Sequence, residues 1–461
     1  VNSFKLRDIR AVISEALPLF EPTEAERRKI SGAAEKCRRL VQNASKGKDQ
    51  VVDVIFGGSY AKGTWLRGDA DVDIFVKMSP SVDLATFERL GKSIGLSALS
   101  RYRPKMRYSD HPYVEAAVDG IRVNVVPCYD VERGKWQSAA DRSPFHTEYI
   151  MNNFGDAERG QTRLLKAFFK SAGVYGAEIA VGGFSGYVSE VLILKYRTLE
   201  SVLQAAADLR HRQVIAVGDR FDPDVVKGFA SPLIVIDPID TRRNLGTAIS
   251  PESVGNFVMA ARAFLSDPSI RFFDARPRRH SAPRKIYSNV LIVEFRHRER
   301  SPDIVWGQLK RTLAAITRQL ELADFEVFRS SCVTDEKKTA VLAFLLDSLT
   351  LAPFAKRTGP ELYMKVNVMS FLDNSKTAAH AAWVGPDLRA SVLIDRKVTS
   401  ARSYVRSLFG KNSVNSGISR DMLDDKLTLR VYGGSERKLS GLAKEAADRI
   451  VSTEHYIMRR T

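Results

Sequence analysis

GGSYAKGTWLRGDADVDIFV, residues 57–76, carries the reading on which the rest of the chain depends. It opens on two glycines and a serine and closes on an apolar run broken at alternate positions by Asp71 and Asp73. The preceding run, VVDVIF (51–56), reads as a strand that ends in the Gly57-Gly58 turn. DVDIFV (71–76) alternates, so Val72, Ile74 and Val76 face one way and Asp71, Asp73 and Phe75 the other. The two carboxylates therefore share a face, about 7 Å apart at Cα. Like charges held this close repel unless a cation sits between them. Hard oxygen ligands near phosphate suit Mg2+, which takes one or two carboxylates and fills its shell with water and substrate phosphates. The Gly-Ser turn frees backbone N–H groups for phosphate oxygens. A strand edge with two solvated aspartates is the plain alternative. The strand–turn–helix–strand order around the pair favours a metal-dependent nucleotidyl-transfer site, where metals activate an attacking hydroxyl and steady the leaving pyrophosphate.

Working outward, Thr23 and Glu26 have capping-box spacing, and apolar residues recur at helical intervals over 23–44. PYVEAAVDGIRVNVVPCY (112–129) reads as a hairpin on the Asp119-Gly120 turn. That turn pairs Val118 with Ile121, Ala117 with Arg122, Ala116 with Val123 and Glu115 with Asn124. Ser143-Pro144 reads as an N-cap followed by proline at the first helical position. Helical patterns then dominate to about residue 265, including one helix closed by Gly173 and one capped by Ser185. RFFDARPRRHSAPRK (271–285) reads as a basic linker or loop. Strand 289–296, helix 303–321 and strands 325–331 and 338–346 follow as β-α-β-β, like part of a ferredoxin-like layer. Residues 350–461 mix short helices and strands. The expected domains are 1–142, 143–265 and 266–461.

A chain of 461 residues suggests two to four domains, and 44% hydrophobic content lets cores form. The formal charge of +17 favours a polyanionic partner, nucleic acid above all. Cys37, Cys128 and Cys332 are far apart and odd in number, which implies neither a metal site nor a disulfide framework and fits a reducing compartment. VNSFKLRDIR is charged where a signal peptide needs an apolar run, and Val1 is expected of a processed or trimmed chain. TAVLAFLLDSLTLAPF (339–354) is broken by Asp347 and too short to span a bilayer. A soluble cytoplasmic protein, not a membrane protein, is expected.

Gly58-Ser59 followed by Asp71-Val72-Asp73 resembles the DNA polymerase β nucleotidyltransferase superfamily. The stretches GGSYAKGTWLRG, VNVVPCYDV, DRSPFHTEYI, RLLKAFFKSAGVYGAE, GGFSGYVSEVLILKY and VIDPIDTRRNLGTAIS, in that order, resemble the archaeal class I tRNA CCA-adding enzymes. The resemblance is strong over roughly residues 1–275 and weaker beyond. It implies an α+β chain: a polymerase-β-like nucleotidyltransferase palm, a helical central (neck) domain, and an α+β C-terminal RNA-binding body and tail. It implies template-independent addition of C, C and A to the 3′ end of tRNA from CTP and ATP, with one pocket taking both nucleotides and the growing RNA end shaping it. Asp71 and Asp73 would hold Mg2+, Ser59 and Lys62 would meet the triphosphate, His146, Lys166 and Tyr175 would complete the pocket, and Arg243 would help read the base.

On their own these residues say less. His146 falls in the first turn of its predicted helix, where free N–H groups favour phosphate. Lys166 lies on an amphipathic helix, Tyr175 follows a helix end, and Arg243 is one arginine in a loop. Arg276, Arg278, Arg279, Arg284 and Lys285, then Arg296, His297, Arg298 and Arg300, form basic clusters that would position RNA by its phosphates. Of these Arg278, Arg279 and Arg298 are the chief RNA-binding candidates, against the acceptor and T arm of tRNA, whose A-form duplex is read by shape. A homodimer is compatible with the sequence but not read from it.

One position departs from the family. Its third carboxylate comes from the second hairpin strand, where this chain has Asn124 in RVNVVP. Asparagine offers a neutral oxygen and cannot take a proton. Asn124 is then an engineered substitution, a natural variant with another carboxylate in its place, or the mark of a protein that binds RNA without catalysis. The hairpin register makes Glu115 the candidate replacement. The competing functions are a poly(A)-type RNA nucleotidyltransferase, a catalytically silent tRNA-binding protein and, against the charge of +17, a small-molecule nucleotidyltransferase.

Overall fold

The computed structural model describes residues 8–457 apart from 109–111, 220, 275–278, 281, 411–415, 426, 436–437 and 455. The chain divides into two compact units, Val1–Arg279 with Glu454–Thr461, and His280–Thr453.

The first unit begins with helices α1 (Ile9–Phe20) and α2 (Glu24–Ser45). The Thr23 hydroxyl caps α2 by accepting from Glu26 N, as its spacing predicts. The Glu26 carboxylate does not close the capping box; it accepts from Gly68 N at 2.6 Å instead. Strand β1 (Val51–Gly57), the one-turn helix α3 (Gly58–Lys62), β2 (Asp71–Met78), α4 (Leu84–Ala98), β3 (Lys105–Tyr108), β4 (Pro112–Val118) and β5 (Ile121–Tyr129) follow. They form a five-stranded sheet in the order β1-β2-β5-β4-β3, with only β2 and β5 parallel. Val72, Ile74 and Val76 are fully buried on the face covered by α2 and α4, with Ile30, Cys37, Phe87 and Ile94. The hairpin register is the expected one down to Glu115 opposite Asn124. Asp119 (φ 53°) and Gly120 (φ 80°) both take the left-handed conformation that a tight hairpin turn of this hand requires.

Next come α5 (Arg142–Asn153), α6 (Asp156–Ser171), α7 (Gly186–Tyr196), α8 (Leu199–Ala207), β6 (Gln213–Ile215), α9 (Pro223–Lys227), β7 (Leu233–Val235) and α10 (Pro251–Ser266). Ser143 is not the N-cap of α5: the helix starts one residue before it. Buried Asp141 organises that start by accepting from Tyr129 N, Gln137 N and Ser138 N and from the Ser138 hydroxyl. Gly173 (φ 70°) ends α6 and Ser185 caps α7, both as expected. The core of this helical layer is aromatic; Phe169 stacks on Phe184 at 4.4 Å, and Phe257 meets both edge-on. α7 is buried all round from Val188 to Leu194, the polar Ser189 and Glu190 included.

The second unit holds β9 (Val290–Arg296), α11 (Pro302–Leu322), β10 (Val327–Thr334) and β11 (Thr339–Leu346), reached past β8 (Arg279–His280). This is the expected β-α-β-β order. β12 (Phe354–Glu361), α12 (Lys365–Ser375), β13 (Ala379–Val384), β14 (Arg389–Asp395), α13 (Ala401–Leu408), α14 (Arg420–Asp425), β15 (Leu427–Gly433) and α15 (Gly441–Val451) complete it. One sheet runs β10-β11-β9-β15, a smaller one β12-β14-β13. α15 seals one face of the larger sheet, packing Ala446, Ala447 and Ile450 onto Ile292, Val341 and Ala343. All three cysteines are buried and unpaired. Among the described residues no helix is long and apolar enough to cross a membrane.

Candidate active site

The sheet contributes one wall of the site. Asp71 and Asp73 stand on the same face of β2, and the parallel register sets Arg122 beside Asp71 and Asn124 beside Asp73. Arg122 donates to both oxygens of Asp71, from Nε at 2.7 Å and Nη2 at 2.5 Å. The Asn124 amide donates to Asp73 Oδ1 at 2.8 Å, while its own Oδ1 is buried and has no partner. Burial lifts the Asp73 carboxyl above the ordinary aspartate range, against the hydrogen bond from Asn124. Gly58 is required here: its φ is +64°, and a Cβ would fall 1.8 Å from Asp73 Oδ2. The backbone ahead of Ser59 thus runs against the carboxylate.

The helices contribute the opposite wall. Glu190, at the middle of α7, accepts from the Lys62 ammonium at 2.5 Å and from the Thr64 hydroxyl at 2.5 Å. Lys166 lies 3.6 Å from the same carboxylate and donates to Thr64 O and Oγ1 at 3.0 and 3.1 Å. All three charged side chains are buried: 7% exposed for Lys62, 2% for Lys166 and 1% for Glu190. Burial opposes the charge on Glu190, but the two lysines and the hydrogen bonds from Lys62 and Thr64 outweigh it and hold the carboxyl below its usual range. Burial drives Lys166 down to about 8 despite Glu190. A Cβ on Gly186 would come within 3.2 Å of the Tyr175 hydroxyl and 3.5 Å of the Lys166 ammonium, so both groups converge at the start of α7.

A second buried acid, Asp237, organises the far end. His146 Nε2 lies 2.9 Å from its Oδ2, and Arg243 Nη1 3.4 Å from the same oxygen. Tyr187 and the Ile239 backbone donate to Oδ1. The His146 ring stacks on Tyr187 at 3.8 Å. Burial lowers the His146 pKa below 6.5 against the pull of Asp237. The imidazole is therefore neutral at pH 7, with its proton on Nε2 toward Asp237. A cavity of about 1600 Å³ joins this end to the sheet, lined by Asp73 and Asn124, by His146, and by Arg133, Arg142 and Arg243. A smaller cavity of about 550 Å³ collects Ser59, Asp71, Arg122, Lys166 and Tyr175, and Asn124 lines both.

Residues 35–154 match the family described as nucleotidyltransferase domain, 160–274 that described as tRNA nucleotidyltransferase, second domain, and 288–425 that described as CCA-adding enzyme, C-terminal domain. The chain is 34% identical over 417 residues to the CCA-adding enzyme of Pyrobaculum islandicum, covering 87% of this chain and 94% of that one. It is 31% identical over 446 residues to the CCA-adding enzyme of Methanothermobacter thermautotrophicus, covering 92% and 95%. The figures for that of Saccharolobus shibatae are 33% over 394 residues, 85% and 90%. This chain belongs to the CCA-adding enzyme family.

Most of the site residues expected of a CCA-adding enzyme lie in the two cavities: Ser59, Asp71, Asn124, Lys166 and Tyr175 in the smaller, Asp73, Asn124, His146 and Arg243 in the larger. Lys62 lines neither; its ammonium turns to Glu190, the carboxylate nearest it in the core. His146 sits beyond the first turn of α5, held by its ring rather than by helix N–H groups. Glu115 faces Asn124 in register and lines the smaller cavity with it, while Arg107 donates to its carboxylate at 3.0 Å. Arg276 and Arg278 lie outside the described residues, and only the backbone of Arg279 is described. Arg298 belongs to the second unit, and its neighbour His297 is buried and bonded to Thr334 rather than presented to RNA.

Glu190, Asp237 and Arg122 escaped sequence reading. Glu190 and Asp237 had a signal: each is a lone acid inside an apolar run, where an uncompensated charge is too costly to bury. Among the described residues no three His, Cys, Asp or Glu side chains gather as a metal site. Asp71, Asp73 and the unpartnered oxygen of Asn124 fit one hard cation that brings phosphate ligands with it, and offer no third carboxylate for a second.

Proposed function

We infer that this chain adds C, C and A in turn to the 3′ end of tRNA from CTP and ATP, without a nucleic-acid template. The observation that carries the inference is the family match across nearly the whole chain, over a cavity that runs from paired aspartates to an arginine-lined end. Asp71, Asp73 and Asn124 Oδ1 would hold Mg2+. Bound there, the ion supplies the Lewis acidity that a nucleotidyl transfer needs at the 3′-hydroxyl and the α-phosphate.

The chain's own groups do the remaining work. The backbone at Gly58-Ser59 and the Ser59 hydroxyl offer donors to the triphosphate, and Lys166 and Tyr175 add a cation and a hydroxyl from the opposite wall. Lys62 acts from beneath, as a buried positive charge balanced by Glu190. Arg243, steadied by Asp237, would meet the base or the RNA end. His146 positions Asp237 and Tyr187 as a neutral imidazole. The basic second unit would hold the acceptor and T arm, in a cytoplasmic enzyme.

Asn124 should slow the reaction rather than abolish it, because an amide oxygen still ligates but does not neutralise the cation. The test is primer extension on a tRNA lacking its CCA, with CTP, ATP and Mg2+, on this chain and on Asn124→Asp. The expected result is arrest after three nucleotides in both, about 10²-fold faster with the aspartate, the scale of losing one electrostatic contact in a transition state. Tails of unlimited length would point to a poly(A)-type transferase. Tight tRNA binding without incorporation by either form would make the chain a silent tRNA-binding protein.

A further inference from the structure

We propose that Arg122 is a positioning residue that serves as the resident counter-ion of Asp71, so that this site accepts a divalent cation together with the nucleotide and not before it. The proposal rests on reading Asp71 and Asp73 as cation ligands. Three observations lead to it. First, Arg122 stands directly across from Asp71 in the parallel pair and caps both carboxylate oxygens at once. A planar guanidinium on a carboxylate is among the strongest charge-assisted contacts, and any ion approaching Asp71 must displace it.

Second, the charges facing the site add up to a weak cation trap. On the sheet, Asp71 and Asp73 bring two negative charges, Arg122 removes one, and Asn124 brings none; around them Lys170 pairs with Asp69, and the one positive charge left over from Lys62, Lys166 and Glu190 offsets Glu178. Glu115, the next acid on the sheet, is already neutralised by Arg107. A bare divalent ion would leave the site net positive. An ion arriving on a triphosphate brings its own negative charge and several of its own oxygen ligands.

Third, the parts are placed for an exchange. The Arg122 side chain is 53% exposed, at the edge of the smaller cavity, so it can leave Asp71 without opening the core. The Asn124 oxygen, buried and unpartnered, is already in place as a ligand once Asp71 is released.

The experiment counts Mn2+ bound to the full chain by electron paramagnetic resonance of the free ion, with Asp73→Asn as the background for unrelated sites. Without nucleotide, Arg122→Gln and Asn124→Asp should each bind Mn2+ about tenfold more tightly than the unaltered chain, the scale of one charge contact at a half-exposed site. Equilibrium dialysis with labelled CTP is the second arm: binding should require Mn2+ in all three forms. Equal Mn2+ affinity in the unaltered chain and Arg122→Gln, with CTP binding still cation-dependent, overturns the role of Arg122 and leaves the cation site standing. CTP binding indifferent to Mn2+ overturns both. Should Arg122→Gln fail to fold, Arg122→Met decides in its place, since methionine keeps an apolar stem and loses the charge; no gain in Mn2+ affinity there overturns the proposal.

Discussion

The two walls of the cavity handle charge in opposite ways. On the sheet wall, strand register gives each acid one partner: Asp71 has Arg122 and Asp73 has Asn124. Those partners lie at the cavity surface and can be exchanged. On the helical wall the charges are sealed in. Two buried ammoniums share Glu190, and Asp237, fully buried, is met by the neutral His146 and by Arg243, whose outer part alone reaches the cavity. A buried pair gains little over apolar packing, but removing one member strands the other in a medium that cannot solvate it. Substitutions on the sheet wall should therefore strike the rate and spare the fold. Those on the helical wall should strike the fold.

The largest effect is expected from Asp73→Asn. The loss of a ligand carboxylate should lower single-turnover incorporation by about 10³-fold or more. The melting temperature should hold or rise, because burial already disfavours the Asp73 charge and asparagine removes that cost. A large fall in melting temperature with little change in rate would erase the distinction between the walls.

Glu190→Gln tests the other side. It leaves Lys62 and Lys166 buried without their carboxylate, which should cost about 3–5 kcal/mol in urea unfolding. Adding Lys166→Met should return part of that loss, and the double-mutant cycle measures the coupling directly. Additive losses would mean that Glu190 does not bind the lysines into one unit.

The same contrast explains how much could be read in advance. β2 declares itself because strand alternation puts Asp71 and Asp73 on one face whatever surrounds them. Asp119-Gly120 fixes the hairpin because both residues must tolerate positive φ, and the register to Asn124 follows by counting. Arg122 was placed by the same counting opposite Ala117, but its neighbour across the parallel pair depends on a crossover that no local pattern specifies. Lys62, Glu190 and Lys166 are separated by more than a hundred residues in chain order at their widest, and only packing brings them together. Lys166 by itself accordingly read only as a lysine on an amphipathic helix, placed in the pocket by resemblance alone, whereas it is among the most buried side chains of the unit. Ser143-Pro144 misled because the true organiser of α5, Asp141, acts through backbone groups as far back as Tyr129.

A third effect sharpens the comparison through pH. Burial brings Lys166 down from 10.5 to about 8. The folded chain sheds this proton near pH 8, while the unfolded chain keeps it to 10.5, so Lys166 costs stability below pH 8 and the cost disappears between 8 and 10.5. Binding runs the other way, since a triphosphate favours the ammonium. The KM for CTP should climb above pH 8, approaching tenfold per pH unit as the charged fraction falls. Lys166→Arg, which stays charged, should flatten that climb even where its KM is higher throughout. A climb that persists in the arginine form would assign the titration to another group.

The smallest effect is expected at Glu115, and it separates register from function. Glu115 faces Asn124 across the hairpin, at the distance from which a carboxylate could replace the missing acid. Its oxygen is held by Arg107 through both Nε and Nη2, on the side away from β2. Recruiting it to the site would break that contact and strand the arginine, with no other acid on β3 to take it. Glu115→Gln should therefore change the rate of incorporation by no more than about twofold and stability by no more than about 1 kcal/mol, the worth of a part-exposed ion pair. Single-turnover incorporation on a tRNA lacking its CCA measures the first, urea unfolding the second. A fall of tenfold or more in rate at unchanged stability would make Glu115 the third acid of the site, the role Asn124 cannot fill. The sheet wall would then hold three carboxylates after all, and its charge would no longer depend on the single contact between Arg122 and Asp71.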